Sequence, residues 1–180
     1  MTKNLNKKIA IVIAFSDFKD EEYFIPREIF ERAGVEVATV SNKSGMARGV
    51  SGAEVAVDVK LDNLEVADYD GVVFAGGSGC LENLDNESSY SVAREAVERG
   101  KVLAAICISP IILAKAGVLE GKKATVWFDP LYKEPIKILK ENGAVYQEKS
   151  VVADGKIVTA NGPQSAEDFA EAVLEVLTRD

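Results

Sequence analysis

The sequence contains no histidine, and this absence excludes many reaction mechanisms. Imidazole is the usual general base beside a catalytic cysteine, and it is the commonest metal ligand in proteins. The two cysteines, Cys80 and Cys107, lie far apart and lack the spacing of a zinc site. We therefore expect no metal site, and any catalysis must rely on cysteine and carboxylate groups.

Long apolar runs and an excess of basic residues are also missing. The apolar run at residues 9–15 is short and is followed at once by Asp17 and Lys19, so it predicts a strand rather than a signal peptide or a membrane span. The net charge of -8 argues against nucleic acid or an anionic membrane as a partner. Two widely spaced cysteines suit a reducing compartment. We expect a cytoplasmic protein that handles small molecules.

Apolar segments of strand length alternate with segments of helix length along the chain. The predicted strands cover residues 9–15, 35–41, 71–75 and 102–106, and the predicted helices between them cover 20–33 and 87–99. Such alternation predicts a mostly parallel sheet that helices cover on both faces. The length of 180 residues suits one domain, residues 1–180. We expect an α/β protein with a three-layer α/β/α sandwich.

Two segments depart from this alternation. Val55, Val57 and Val59 lie on one face of an extended segment, which predicts a more exposed or antiparallel region. Asp154 and Gly155 separate two short β-like runs, and this dipeptide is a strong signal for a two-residue β-hairpin. The sheet should therefore contain some antiparallel pairing.

Cys107 lies where an apolar strand ends and a helix begins. Ser109 is a good N-cap, and Pro110 fits the first helical position because its missing N–H would be unpaired there in any case. The thiol should then face free backbone N–H groups and the positive end of the helix dipole, which lowers the pKa of the thiol. The alternative interpretation is a buried apolar cysteine that completes a core strand.

Glu22 is the carboxylate best placed to meet this cysteine. Helical spacing puts Glu22 on the inward stripe with Pro26 and Ile29, whereas Glu21 faces water. Pro26 removes the helical donor to the Glu22 carbonyl, so we expect the helix to break or kink there. Burial would raise the pKa of Glu22 and let it act as an acid or base. The alternative is a first-turn glutamate that stabilises the helix dipole.

A glycine loop follows the strand predicted at residues 71–75. Gly76 and Gly77 allow backbone N–H groups to approach an anionic centre, as an oxyanion hole requires. A dinucleotide-binding fingerprint is a weak alternative, because Glu82 occupies the position of its last glycine. A plain tight turn is the other interpretation of this loop.

Taken in order, these motifs resemble the ThiJ/PfpI superfamily, which is related to class I glutamine amidotransferase domains. The residues that carry the resemblance are Glu22 four positions before Pro26, Phe74-Ala-Gly-Gly77, Ala104-Ala-Ile-Cys-Ile-Ser-Pro110 and Asp154-Gly-Lys-Ile-Val-Thr-Ala-Asn-Gly-Pro163. The resemblance covers nearly the whole chain and implies a flavodoxin-like fold. It further implies a strained elbow at Cys107, Glu22 hydrogen bonded to the sulfur, amides of Gly77 and Ile108 facing the pocket, and a dimer or higher oligomer.

The pocket departs from the peptidase-like branch of that superfamily. The histidine that follows the cysteine there is Ile108 here, which excludes a Cys-His dyad. Trp127 replaces a histidine or tyrosine of relatives, and Asp129 has no imidazole to orient. We expect Trp127, Asp129 and Asn161 to line the pocket.

The resemblance and the residues together leave three functions open. The first is an enzyme that acts on small reactive aldehydes or glycated compounds, as glyoxalase III and deglycase members do, with Cys107 as nucleophile, Glu22 as proton carrier and no metal or organic cofactor. The second is a non-enzymatic redox sensor or stress chaperone that works through oxidation of Cys107. A cysteine peptidase or amidase ranks below both, because acyl transfer to water needs a base and a proton donor and only a carboxylate is present.

Overall fold

The computed structural model describes residues 5–179. The strands are β1 (Lys7–Ile13), β2 (Ser16–Phe18), β3 (Val35–Ser41), β4 (Met46–Gly49), β5 (Glu54–Ala56), β6 (Val59–Lys60), β7 (Gly71–Phe74), β8 (Val102–Ile106), β9 (Lys123–Ala124), β10 (Val145–Tyr146), β11 (Val151–Asp154) and β12 (Ile157–Ala160). The α-helices are α1 (Asp20–Arg32), α2 (Cys80–Leu84), α3 (Glu87–Glu98), α4 (Pro110–Lys115), α5 (Glu134–Glu141) and α6 (Ala166–Leu177).

A seven-stranded sheet in the order β11-β12-β8-β7-β1-β3-β6 forms the centre of the protein. Its pairs are parallel except for β11 and β12. The side chains from Ile9 to Ile13 in β1 are fully buried, as expected for a central strand that is covered on both faces. Helices pack around this sheet, with α1 against α6 and α3 against α4. The predicted α/β fold with a mostly parallel sheet is confirmed.

The two predicted departures from parallel pairing are both present. Strands β4 and β5 pair antiparallel in a small sheet with β2, and Val55 lies in β5. Val59 instead lies in β6, which pairs parallel with β3 at the edge of the main sheet. Strands β11 and β12 form the hairpin, but Asp154 pairs with Ile157, so the turn consists of Gly155 and Lys156. The turn thus lies one residue later than the sequence signal indicated.

We expected a break or a kink at Pro26, and helix α1 continues through this residue, so the predicted break is wrong. Proline removes one backbone hydrogen bond, whereas the surrounding turns keep theirs. The buried side chains of Tyr23, Pro26 and Phe30 hold this helix against the rest of the core. Packing of the buried face therefore outweighs the local cost of the proline.

The parallel order of the sheet brings three loops together. Strands β1, β7 and β8 are neighbours and run in the same direction, so the segments that follow them emerge at one edge of the sheet. This edge carries the start of α1, the glycine loop and Cys107, and such edges are the usual place for sites in parallel sheets. In the described part of the chain, no helix has the length and apolar character needed to span a membrane.

Candidate active site

Cys107 directly follows β8 and has a backbone conformation that is rare for a residue with a side chain. Its φ angle is 67°, in the left-handed region, which costs about 1–2 kcal/mol for residues other than glycine. Two hydrogen bonds hold it there: its N–H donates to the Ala160 carbonyl over 2.9 Å, and its carbonyl accepts from the Trp127 N–H over 2.7 Å. The neighbouring segments therefore maintain a strained elbow that presents the thiol to a cavity.

Ser109 does not cap the helix after the elbow with its side chain, contrary to the prediction. The buried hydroxyl oxygen lies 2.8 Å from the carbonyl oxygens of Phe74 and Ile106, and it accepts a hydrogen bond from the Ile106 N–H over 3.0 Å. These acceptors inside the sheet attract the hydroxyl away from the helix terminus. Ser109 instead connects β7 and β8 beneath Cys107.

Glu22 is fully buried beside the elbow, as predicted. Its Oε2 accepts a hydrogen bond of 2.7 Å from the Gly76 N–H. Its Oε1 has no nitrogen or oxygen hydrogen-bond partner within residues 5–179, and its carboxyl group adjoins the Cys107 thiol. A side chain on Gly76 would place its Cβ 2.6 Å from Glu22 Oε2 and 2.7 Å from Cys107 Cβ. Glu22, Gly76 and Cys107 are therefore in close contact, and only glycine fits between the two side chains.

The backbone N–H groups of Gly76 and Gly77 in the glycine loop differ in their hydrogen bonding. The Gly76 N–H is occupied by Glu22, so the prediction that it contributes to an oxyanion hole is wrong. Gly77, with a φ of 119°, lines the cavity together with Ile108. Neither the Gly77 N–H nor the Ile108 N–H donates to an oxygen atom of the described residues. The Gly77 amide is therefore available to a bound ligand, and the Ile108 amide interacts with the Cys107 side chain.

Burial dominates the electrostatics of the Cys107 and Glu22 pair. It raises the pKa of Glu22 from 4.5 to about 7, although hydrogen bonding to the Cys107 side chain and to the Gly76 N–H opposes this rise. Burial also raises the pKa of the Cys107 thiol, and the charge of an ionised Glu22 adds to the rise. The Ile108 N–H opposes it only in part. The predicted lowering of the thiol pKa is therefore wrong, because desolvation and a carboxylate neighbour outweigh the nearby amides.

Cys107 and Glu22 open into a cavity of about 540 Å³. Five residues give it a largely apolar wall: Leu81, Ile108, Trp127, Tyr132 and Pro163. The polar side chains are those of Lys19, Glu22 and Ser78. The site thus combines one thiol, one carboxyl group and one ammonium group with the backbone amides of Gly77 and Ile108. This set can add a nucleophile to a small carbonyl compound and move protons on the adduct.

Residues 7–176 match the family model described as DJ-1/PfpI. The chain belongs to the DJ-1/PfpI family. An uncharacterized protein of Methanocaldococcus jannaschii is 39% identical over 97% of this chain and 84% of its own length. Protein/nucleic acid deglycase 2 of Escherichia coli is 31% identical over 96% of this chain and 99% of its own length. The crystal structure of a ThiJ/PfpI domain protein from Brachyspira murdochii is 33% identical, covers 96% of each chain and superposes with a TM-score of 0.90.

Two residues that we expected in the pocket of this DJ-1/PfpI protein do not line it. Asp129 is exposed, and its carboxylate accepts a hydrogen bond from the Leu131 N–H over 2.8 Å within its own turn. The Asn161 side chain accepts a hydrogen bond from the Ser165 hydroxyl over 2.9 Å. Both side chains are used for local turn structure, and of the three predicted wall residues the cavity contains Trp127.

The sequence reasoning did not select several residues that the cavity contains: Lys19, Ser78, Leu81, Tyr132 and Pro163. Two of them could have been found, because Lys19 precedes α1 and Ser78 lies in the glycine loop, and both segments follow strands of the sheet. Tyr132 gives no comparable signal, since it lies in the long connection between β9 and α5. Its place at the cavity depends on how that connection folds back.

Proposed function

We propose that this protein is a cysteine-dependent enzyme that converts small 2-oxoaldehydes into 2-hydroxy acids, in the manner of glyoxalase III and the deglycases. The observation that carries the proposal is the buried Glu22 carboxyl, with a pKa raised to about 7, beside a thiol that faces a cavity. The name of the Escherichia coli relative, a protein/nucleic acid deglycase, supports a carbonyl or glycated substrate. No step requires a metal or an organic cofactor.

The first step joins the thiol to the aldehyde carbon. The Glu22 carboxylate takes the proton of the Cys107 thiol while sulfur bonds to that carbon, and the carbonyl electron pair moves to oxygen. The amides of Gly77 and Ile108 donate to the resulting oxyanion. Glu22 then returns its proton to this oxygen, which gives a hemithioacetal. A carboxyl group with a pKa near 7 is suited to accept and release this proton at neutral pH.

The second step moves a proton between adjacent carbons. Glu22 removes the proton from the carbon bonded to sulfur, which gives an enediolate with its negative charge on the oxygen of the neighbouring carbon. The hydroxyl proton of the first carbon then moves to that oxygen. Glu22 then delivers a proton to the neighbouring carbon, which gives the thioester of a 2-hydroxy acid. The first carbon is oxidised and the second is reduced by the same two electrons, so no external oxidant is needed. Water then cleaves the thioester and releases the acid and the free thiol.

Turnover of methylglyoxal to lactate tests the proposal. We expect the wild-type protein to form lactate, detected by proton NMR, and Cys107→Ala to form none above the uncatalysed rate. Cys80→Ala is the matched control, because Cys80 lies outside the cavity, and it should keep turnover within about twofold of the wild type. Lactate formation that survives Cys107→Ala, or its absence in the wild type, would refute the proposal.

A redox sensor or stress chaperone is the second candidate function. Cys107 is a free thiol at the cavity, and the unpaired Glu22 Oε1 could donate to a sulfinate oxygen when the carboxyl is protonated. Two equivalents of hydrogen peroxide would convert the thiolate to sulfinate with release of water. Mass spectrometry after mild peroxide treatment tests this function. A stable gain of two oxygen atoms on Cys107, without lactate formation in the reduced protein, would favour the sensor over the enzyme.

We further propose a homodimer in the cytoplasm, following the family resemblance and the usage of cysteine. Size-exclusion chromatography with light scattering should give about twice the chain mass of 19.3 kDa. A monomer at micromolar concentration would contradict this assembly. The peptidase or amidase activity stays below these functions, because the sequence offers no imidazole beside the thiol.

A further inference from the structure

Lys19 lines the cavity and has a fixed backbone position directly before α1. Its N–H donates to the Gly76 carbonyl over 3.0 Å, and its carbonyl accepts from the Glu22 N–H over 3.1 Å. The residue is therefore attached on one side to the glycine loop and on the other to the helix that carries the candidate proton carrier. Its side chain lines the same cavity as Cys107.

The Lys19 ammonium group acts on the candidate site electrostatically. Its charge lowers the pKa of Glu22, against the larger effect of burial. Its ion pair with Glu21 is 3.5 Å long and joins side chains that are 31% and 47% exposed, an arrangement that contributes little energy. Among the described residues that line the cavity, Lys19 carries the one positive charge. This ammonium group is thus available to an anionic ligand.

We infer that Lys19 is a specificity-determining residue that binds the carboxylate of the substrate, so that the preferred substrates are small aldehydes bearing one carboxylate group. This inference rests on the proposed function for the carbonyl chemistry. The net charge of the chain is -8, which by itself repels anions. A single ammonium group at the cavity offsets this repulsion locally and matches the single charge of a carboxylate.

Alkylation of Cys107 with two probes of similar size tests the inference without turnover. Iodoacetate carries a carboxylate and iodoacetamide is neutral, and both react with the same sulfur. The ratio of their second-order rate constants cancels changes in thiol reactivity that affect both probes alike. We expect Lys19→Gln to lower the ratio of iodoacetate to iodoacetamide by roughly three- to tenfold at low salt, and Lys19→Glu to lower it further.

Lys156→Gln is the matched control, since it removes the same charge at the opposite end of the sheet, where Lys156 Nζ donates to the Gly100 carbonyl. This variant should leave the ratio within a factor of about 1.5. High salt should reduce the wild-type ratio and bring it closer to that of Lys19→Gln. An equal ratio in the wild type, Lys19→Gln and Lys156→Gln would overturn the inference, whichever substrates the protein turns over.

Steady-state kinetics separates this inference from the proposed function. Methylglyoxal is a neutral 2-oxoaldehyde, and 4,5-dioxopentanoate is a 2-oxoaldehyde with a carboxylate. We expect kcat/KM to favour the carboxylate-bearing compound in the wild type, and Lys19→Gln to remove most of that preference through KM. Turnover of neither compound would refute the proposed function, and the alkylation ratio would still decide the role of Lys19. Turnover of both with an unchanged preference in Lys19→Gln would refute the inference alone.

Discussion

The two cysteines occupy comparable places in the chain but very different environments. Cys80 lies at the start of α2 after β7, and Cys107 lies between β8 and α4. Cys80 has no exposed surface, and its sulfur lies 3.6 Å from the Ala75 carbonyl oxygen. Cys107 has the positive φ angle and borders the cavity. Both cysteines follow a strand, so the preceding element does not explain the difference between them. The backbone conformation distinguishes the accessible thiol of Cys107 from the packed thiol of Cys80.

The acidity of the two thiols does not distinguish them. Burial raises the pKa of both, and the charge of an ionised Glu22 adds to the rise in both. The Cys107 thiol differs because it also shares a hydrogen-bonding arrangement with Glu22 and with the Ile108 N–H. Access to the cavity and direct contact with the Glu22 carboxyl group therefore distinguish Cys107 from Cys80.

The largest expected difference between the two cysteines is their rate of alkylation. In native protein we expect iodoacetamide to modify Cys107 at least about 10³ times faster than Cys80, because Cys80 reacts only after local or global unfolding. Mass spectrometry of peptides from a time course gives both rates. The two cysteines should be alkylated at similar rates in urea. Similar alkylation rates in the native protein would show that Cys107 and Cys80 do not differ in accessibility.

The next largest effect concerns the pH dependence of the protein's stability, which titration of Glu22 beside Cys107 should cause. The pKa of Glu22 is 4.5 unfolded and about 7 folded, so the folded state holds this proton more tightly and the wild type loses stability as pH rises through that window. Glu22→Gln has no such loss, and we expect it to be more stable than the wild type by up to about 3 kcal/mol at pH 8 and by little at pH 4.5.

Urea unfolding at both pH values measures this difference. Glu21→Gln is the matched control, because Glu21 precedes Glu22 in the same helix and its side chain is 47% exposed. A pH-independent difference between Glu22→Gln and the wild type would show that the carboxyl keeps its ordinary pKa in the folded protein.

Gly76→Ala should disturb the contact between Glu22 and Cys107 directly. The added Cβ would lie within 2.7 Å of atoms from both side chains, so they must move apart, at a cost of about 1–3 kcal/mol in stability. Turnover of methylglyoxal should fall more than it does in Gly71→Ala. Gly71 begins strand β7, which precedes Gly76, and there the nearest atom would be 3.4 Å from the new Cβ. Full turnover in Gly76→Ala would show that this close packing is not required.

The smallest effect tests the different backbone conformations of the two cysteines. The difference in stability between a glycine and an alanine variant should have opposite signs at Cys107 and Cys80. At Cys107, glycine should be more stable than alanine by about 1 kcal/mol, because the φ angle is 67° and glycine adopts such angles without strain. At Cys80, in helix α2, alanine should be more stable than glycine by roughly the same amount. Thermal or urea unfolding of the four variants gives both differences. The same sign at both positions would contradict a strained elbow at Cys107.

Local sequence patterns were sufficient to predict the main strands and helices and the buried position of Glu22 near Cys107. The continuous apolar run of β1 predicts a buried central strand, and helical spacing predicts that Glu22 faces inward and Glu21 outward. Local patterns did not predict the positions of the Ser109, Asp129 and Asn161 side chains. Each of these polar side chains can equally well cap a helix, line a pocket or stabilise a turn. The partner that such a side chain finds depends on which segments fold against it.

The amino-acid sequence by itself determined the α/β alternation, the antiparallel hairpin and a chemistry limited to thiol and carboxyl groups, because periodicity and composition act within short segments. Only the tertiary structure decided that Gly76 supports Glu22 rather than a ligand, and that Lys19 shares a cavity with Cys107. It also set the pKa of Glu22 near 7. Desolvation and close contact arise when distant segments pack together, and no local pattern in the chain encodes them.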